Sequence, residues 1–492
     1  MSDVTASTDT TTHTSAGTAP TPPTVPATST SATTSAAAAR GPMSPAYRLV
    51  TLAVVALVTT VAFEAMAIST AMPVVARELD AVRSYSLAFS VMLTAQLLGI
   101  VLAGVWSDRR GPLPGLIAGQ VLLAGGSAVA GLATSFPMLL AGRFVAGLGG
   151  GLVVVALYVV IGRAYPDALR PKVFTWVSAA WVLPALVGPP VAGWLATQLS
   201  WRWVFLVVVP AVALTLLAVL SQRSRLAHEC DRRDVAADER AAHRRTAWLG
   251  LGVATAAAAL QWGSQMLVPP QAWPIVLTAL GVVVLGATAP RLLPPGTLRM
   301  ARGLPSVVLS RFLLTAAFNG SLAFVPLMLV SQRHLKATEA GIVLTIGALG
   351  WSFGSWVQGR DAFLHRRTGL VMAGGTSLTL GIAGMAIVAA AGLPSVLVGA
   401  CQVLAGLGMG LAMSTTSVLS LQLASEAERG RASSALQLAD ALGSVLGIAT
   451  SGAVFAALHH ANGQDTGVFV LIWSGMAAVA ALVVLGGHRS RT

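Results

Sequence analysis

Long apolar runs separated by short polar ones set the rhythm of this chain. Runs of spanning length lie near residues 49–74, 87–106, 113–133, 137–162, 173–197 and 203–221. A polar, Arg-rich stretch at 222–246 follows, then two weaker runs near 247–267 and 272–290. Six more lie near 307–331, 339–358, 368–391, 394–421, 433–458 and 467–487. A bilayer core needs roughly 20 apolar residues per helix, so each run predicts a membrane span. The weaker pair is short, is split by Val268, Pro269, Pro270 and Gln271, and carries Gln261 and Gln265. With it the count is 14; without it the count is 12 and no other span changes side. Strand-like alternation is missing, which argues against a membrane barrel. The pattern predicts an all-α membrane protein.

The two blocks of six resemble each other. Phe144–Leu152, with Gly147, Gly149 and Gly151, matches Val403–Leu411, with Gly406, Gly408 and Gly410, in the fourth span of each block. Leu98-Gly99 matches Leu349-Gly350 in the second spans, and Pro73 matches Pro326 in the first. Duplicated halves are a mark of transporters that rock one half against the other. The expected organisation is a tail at 1–47, a six-helix bundle at 48–221, a linker with two further helices at 222–306, a second six-helix bundle at 307–487 and a short terminus at 488–492.

Composition agrees: 55% of the 492 residues are hydrophobic and only 10% are charged, against about 25% charged in a soluble domain. The net charge of +13 does not imply a nucleic-acid partner, because the cations are scattered over short loops. With alternate loops assigned to one side, 25 Lys and Arg, Arg311 counted with the loops among them, fall together, 5 oppose them and Arg143 lies within a span. That asymmetry predicts both termini in the cytoplasm, and the expected location is a bacterial cytoplasmic membrane. Residues 1–40 are Thr, Ser, Ala and Pro with almost no charge, and predict a disordered tail rather than a signal peptide. Cys230 and Cys401 are too few for a disulfide or metal framework.

Of 18 acidic residues, only Glu64 and Asp440 lie well inside apolar spans. A carboxylate there is costly and usually handles an ion, a proton or a substrate. Glu64 stands nine residues before Pro73 at one end of its span, roughly 13 Å in at 1.5 Å per residue. Arg143 stands six residues after Pro137 at the same side, roughly 9 Å in. The two are expected to pair, with burial disfavouring the carboxylate's charge and the guanidinium favouring it. A static structural ion pair is the other reading. Asp440, nine residues past Arg431, is a candidate second site, or a residue that faces a water-filled vestibule. Glu64 has no acidic counterpart in the second block, where Ala317 aligns and Asn319 is near.

The loop after the second span reads Gly104-Val-Trp-Ser-Asp108-Arg109-Arg110-Gly111. It resembles the loop motif of the major facilitator superfamily, and the resemblance extends over about residues 48 to 487. It implies a cytoplasmic gate in which Gly104 admits a neighbouring helix, Asp108 meets a helix N-terminus of the other half and Arg109 holds the loop cytoplasmic. Pro112 and Leu113 depart from the family's further basic residues. The run Gly142-Arg143 to Gly151 resembles the family's fourth-helix motif. The run from Pro184 through Gly188, Pro189 and Gly193 resembles the fifth-helix motif of its exporters. With Ser200-Trp201-Arg202-Trp203-Val204-Phe205 it resembles the 14-helix drug:proton antiporter branch (EmrB/QacA type). Gly188, Pro189 and Gly193 would kink the helix and pack it between the halves.

A cavity between halves should be mostly apolar with a few polar anchors. The candidates are Gln96, Gln120, Tyr158, Trp181, Asn319, Gln402 and the run Ser414 to Ser417 with Thr415. Phosphate-loop, metal and hydrolase patterns are missing, so no enzyme, metal or cofactor is expected. The expected partners are a small-molecule substrate, protons and the lipid bilayer, and the expected state is a monomer. The expected function is proton-coupled export of hydrophobic or cationic drug-like molecules by alternating access. Export of one dedicated metabolite or self-made antibiotic, and proton-coupled uptake, stay open.

Overall fold

The computed structural model describes residues 41–45, 47–166, 169–224, 226, 237–266, 272–360, 366–425, 428–460 and 464–490. The expected disorder of residues 1–40 and the placement of Cys230 lie outside the described residues. Fourteen helices follow. In the first block these are α1 (Arg48–Glu78), α2 (Leu87–Arg110), α3 (Pro112–Gly131), α4 (Phe136–Ala164), α5 (Arg170–Leu195) and α6 (Arg202–Ser221), the last broken once at Val207. Between the blocks lie α7 (Ala237–Gln265) and α8 (Ala272–Leu292). The second block holds α9 (Leu304–Ser331, broken at Ala323 and Phe324), α10 (Ala337–Gln358), α11 (Arg367–Ala390), α12 (Val396–Leu423), α13 (Arg429–Leu458) and α14 (Thr466–Arg489). Among the described residues, thirteen helices are long and apolar enough to cross a membrane; α7 is the exception. Trp248, Gln261, Trp262 and Gln265 dilute its apolar stretch.

The repeat has a physical basis in close helix contact, which small residues permit in a membrane. A β-carbon at Gly147 would lie 2.3 Å from the Met92 carbonyl oxygen of α2, one at Gly149 2.4 Å from the Leu123 nitrogen of α3, and one at Gly151 2.2 Å from the Gln96 oxygen of α2. Gly406, Gly408 and Gly410 repeat this on α12. Their β-carbons would lie 2.1 Å from the Gly347 oxygen of α10, 2.4 Å from the Gly374 oxygen of α11 and 2.1 Å from the Trp351 oxygen of α10. Each glycine of one block thus meets the equivalent helix met by its counterpart. A larger residue at any of these positions would push the fourth helix of its block off the neighbour which that glycine meets.

Arg489 accepts a bond from Gly303 at 3.1 Å, so the last helix ends beside the start of α9. We call this end of the bundle terminal and the opposite end distal. The blocks meet along two seams. Along one, α5 crosses α10: a β-carbon at Gly193 would lie 2.6 Å from Thr338 Cα, and the Pro189 oxygen lies against Gly341. Thr345 donates to the Leu186 oxygen at 3.0 Å. Along the other seam α2 faces α13. At the distal end, the Arg83 Nε donates to the Ala456 oxygen at 2.9 Å and the Tyr85 hydroxyl to the Ala323 oxygen at 3.0 Å. Tyr85, Phe324 and Phe455 form a buried chain of rings there, with centroids 5.7 and 5.3 Å apart. The distal end is closed.

The helices α7 and α8 form an antiparallel hairpin: Gly263 lies against Thr278 and Gly252 against Thr288. The hairpin covers the α2–α13 seam. Val253 and Ala254 of α7 join Leu97 of α2 and Leu442 of α13 in one buried cluster, and Gly250 abuts Val101 of α2.

Candidate functional site

Two ion pairs lie in the interior, one sealed and one partly open. The first joins α1 to α4. Glu64 is 1% exposed and Arg143 is 3% exposed, with Arg143 Nη1 3.8 Å from Glu64 Oε1. The glycine seam of α4 against α2 brings Arg143 across the first turn of α2, where its Nε donates to the Ala88 oxygen at 2.8 Å. Neither Glu64 oxygen nor Arg143 Nη1 has a hydrogen-bond partner. The two charges therefore face each other across a contact longer than a hydrogen bond. Such a pair retains capacity to bind a proton or a new donor.

The second pair joins α9 to α13. Arg311 Nε lies 3.8 Å from Asp440 Oδ1, and the Asp440 side chain is 26% exposed. Arg311 also reaches α12: Nη1 donates to the Met413 oxygen and to Thr416 Oγ1 at 3.1 Å, and Nη2 to Ser417 Oγ at 3.0 Å. Sequence reasoning placed Arg311 among the loop cations; it is buried inside α9 instead. A signal was present: Arg311 follows Pro305 by six residues, the spacing by which Arg143 follows Pro137. In both helices the proline sits in the first turn.

The structure separates the expected cavity residues into two groups. Tyr158 and Trp181 are 48% and 38% exposed, and Tyr158 stacks on Phe174 at 5.6 Å. Gln96 and Asn319 are half-buried. The Asn319 amide donates to the Thr315 oxygen at 3.1 Å and to Ser444 Oγ at 3.0 Å, and Ser444 in turn donates to the Asp440 oxygen at 2.9 Å. Gln120, Gln402 and Thr415 are instead buried within single blocks. Gln120 accepts from Thr215 at 3.0 Å, Gln402 lies against Gly347, and Thr415 donates to the Leu411 oxygen at 2.6 Å. Thr416 and Ser417 serve as acceptors for Arg311.

The gate motif divides similarly. Gly111, with φ 78°, ends α2 and starts α3, a conformation that favours glycine. A β-carbon at Gly104 would meet nothing within 4 Å, so no neighbouring helix approaches closely there. The side chains of Asp108 and Arg109 lie outside the described residues. In the fifth-helix motif, Pro189 and Gly193 do lie against the other block. Gly188 faces Phe63 and Met66 of α1, its own block, at an ordinary 3.7 Å. Among the described residues no cluster of His, Cys, Asp and Glu could hold a metal ion.

The profile of the Major Facilitator Superfamily matches residues 54–448. An uncharacterized MFS-type transporter of Mycobacterium tuberculosis is 28% identical over 404 residues, covering 78% of this chain and 56% of that protein. The chain thus spans little more than half the length of that relative. The multidrug transporter protein MdtP of Bacillus subtilis is 25% identical over 412 residues, covering 80% of this chain and 73% of that protein. A solved POT family transporter, crystallised with a thioalcohol-conjugated peptide, superposes with a TM-score of 0.67 at 16% identity, covering 90% of this chain and 96% of that one. That likeness carries the fold. The relatives and fold neighbours are transporters, not enzymes, and the chain belongs to the major facilitator superfamily.

Proposed function

We propose that the chain exports hydrophobic or cationic drug-like small molecules across a bacterial cytoplasmic membrane in exchange for protons. The observation that carries this reading is the Glu64–Arg143 pair, fully buried yet with no hydrogen bond on either carboxylate oxygen. A buried carboxylate so poorly satisfied is costly unless it changes protonation in its working cycle. The distribution of Lys and Arg favours a cytoplasmic terminal end. With the distal end closed, this conformer loads substrate from the cytoplasm. In the opposite conformer protons reach Glu64 from outside, neutralise it and free Arg143 for other contacts. The MdtP resemblance supports a drug-like substrate, and the resemblance of the run from Pro184 to Gly193 to the fifth-helix motif of the family's exporters supports export over uptake.

Asp440 is the proposed second coupling residue. Its side chain is partly exposed while Glu64 is sealed, so the two carboxylates are accessible in different conformers. Asp108, Arg109, Gly104 and Gly111 are proposed as the cytoplasmic gate that forms when the terminal end closes. Tyr158, Trp181, Gln96 and Asn319 are the proposed substrate contacts, with the aromatic faces suited to a cation.

The test is accumulation of a lipophilic cationic dye in pump-deficient cells, with and without an uncoupler. The reading expects low accumulation with the wild-type chain, raised both by the uncoupler and by Glu64→Gln. Equal accumulation in all arms, with the protein present in the membrane, would overturn it.

A further inference from the structure

Five arginines gather at the terminal end of the second block. The last turn of α14 carries Arg489, and the Gly303 amide donates to its backbone oxygen at 3.1 Å, which sets Arg302 beside it. Arg489 Nη1 donates to the Met300 oxygen at 3.5 Å, which ties the short turn Thr297–Arg299, and with it Arg299, to α14. On α11, Met372 packs at Gly487, where a β-carbon would lie 3.1 Å from the Met372 nitrogen. Arg366 and Arg367, at the start of α11, stand roughly 8–9 Å nearer the terminal end than Met372. Arg367 is half-buried and the other four are exposed. Among the described residues, none of the five pairs with a carboxylate. Arg143, Arg202 and Arg311, by contrast, each have an acid at 3.8, 3.9 and 3.8 Å. Arg367 Nε is buried and has no hydrogen-bond partner. Like charges held together without an acid repel, so an anion from outside the chain is favoured among them.

The surroundings point to the kind of anion. Ala478, Leu482 and Leu485 form an exposed stripe on α14 at steps of four and three residues, and the next step of four reaches Arg489. Leu482 and Leu485 are 44% and 57% exposed, and Leu298, next to Arg299, is 69% exposed. An apolar stripe that ends in guanidinium groups matches an acyl chain beneath a phosphate, and arginine grips phosphate through paired N–H bonds. A water-soluble anion would use the arginines and leave the stripe unused. We propose that the terminal end of the second block, where α9, α11 and α14 meet, is a binding site for an anionic phospholipid. Arg302, Arg367 and Arg489 hold the headgroup phosphate, Arg367 Nε gains the acceptor it lacks, and an acyl chain lies along Ala478, Leu482 and Leu485. Arg299 and Arg302 belong to the segment that joins α8 to α9, so the bound lipid also fastens that segment to α14. The site depends neither on the cargo nor on the direction of transport.

Native mass spectrometry of the full chain in detergent tests this, with titration of phosphatidylglycerol, phosphatidylcholine or glycerol 1-phosphate. A cation at an anionic lipid surface contributes about fivefold in affinity, so the wild-type chain should hold phosphatidylglycerol at least about tenfold more tightly than phosphatidylcholine. Arg302→Gln, Arg367→Gln and Arg489→Gln should each weaken phosphatidylglycerol binding by about fivefold, and the triple variant should bind the two lipids within about twofold of each other. The single variants decide the point if the triple does not fold. Arg48→Gln, Lys172→Gln and Arg223→Gln together remove the same charge from the terminal end of the first block and should leave the preference intact. Equal loss in the two triples would mean attraction to net charge alone. An unchanged preference in the second-block variants would mean that the lipid sits elsewhere. Glycerol 1-phosphate bound as tightly as phosphatidylglycerol would mean a site for free phosphate. Each of these results overturns the proposal.

Discussion

The coupling between Glu64 and Arg143 can be put to a quantitative test by a double-mutant cycle. At 3.8 Å, two unit charges attract by about 4 kcal/mol at an effective dielectric of about 20. Removing one partner of a buried pair costs roughly 3–5 kcal/mol, because the other charge stays uncompensated. The two sides are not equivalent here. With Glu64→Gln, Arg143 keeps its bond to the Ala88 oxygen. With Arg143→Gln, Glu64 retains no partner, since neither oxygen is hydrogen-bonded. Arg143→Gln should therefore destabilise more than Glu64→Gln, and the double variant should recover at least about 2 kcal/mol of the sum, within the range known for residues in contact. Unfolding of the purified protein in mixed micelles, titrated with a denaturing detergent, measures this. Additivity within about 0.5 kcal/mol, the behaviour of independent sites, would refute the claim that these charges act as a pair.

Other expectations follow from the same geometry. Arg311→Gln should destabilise more than Asp440→Asn, because Arg311 alone also bonds to Thr416 and Ser417, and both should cost less than Arg143→Gln, because the Asp440 side chain is partly exposed; thermal unfolding of the variants ranks them. Gly193→Leu should favour a distal-open conformer, because even a β-carbon there would lie 2.6 Å from Thr338 Cα; increased labelling of a Val470→Cys reporter would register it. Gly188→Ala should be tolerated, with transport within twofold of wild type, since its nearest neighbours lie at 3.7 Å. Gly147→Val should abolish accumulation of folded protein in the membrane, because it separates α4 from α2; immunoblots of membrane fractions decide the point.

Most of the architecture was legible because bilayer spans write themselves as long apolar runs. The exception in degree is α7, whose two Gln and two Trp weaken the signal although its described side chains, Val253 and Ala254 among them, pack against α2 and α13. The repeat was legible because close helix contact leaves glycine as the only residue that fits, so Gly147, Gly149 and Gly151 recur as Gly406, Gly408 and Gly410. The Glu64–Arg143 pair was legible from depth alone, since charge is rare inside spans and must find a partner. Arg311 was misplaced because a cation seven residues from a helix start reads like a loop residue. Only the approach of α12 and α13 reveals that it is buried. Gln120, Gln402 and Thr415 looked like cavity residues because a polar side chain in a span invites that reading. Whether it faces a cavity or a neighbouring helix depends on helix rotation, and these helices are too uniformly apolar to fix it.

The most direct test of proton-coupled export uses purified protein in liposomes carrying a pH-sensitive dye inside. Substrate is added to one side with no imposed voltage. Substrate movement should drive opposite proton movement with the wild-type chain, and Glu64→Gln should abolish proton movement while the folded protein still binds substrate. Proton movement that persists undiminished in Glu64→Gln, or substrate movement with no proton flux in the wild type, would contradict it.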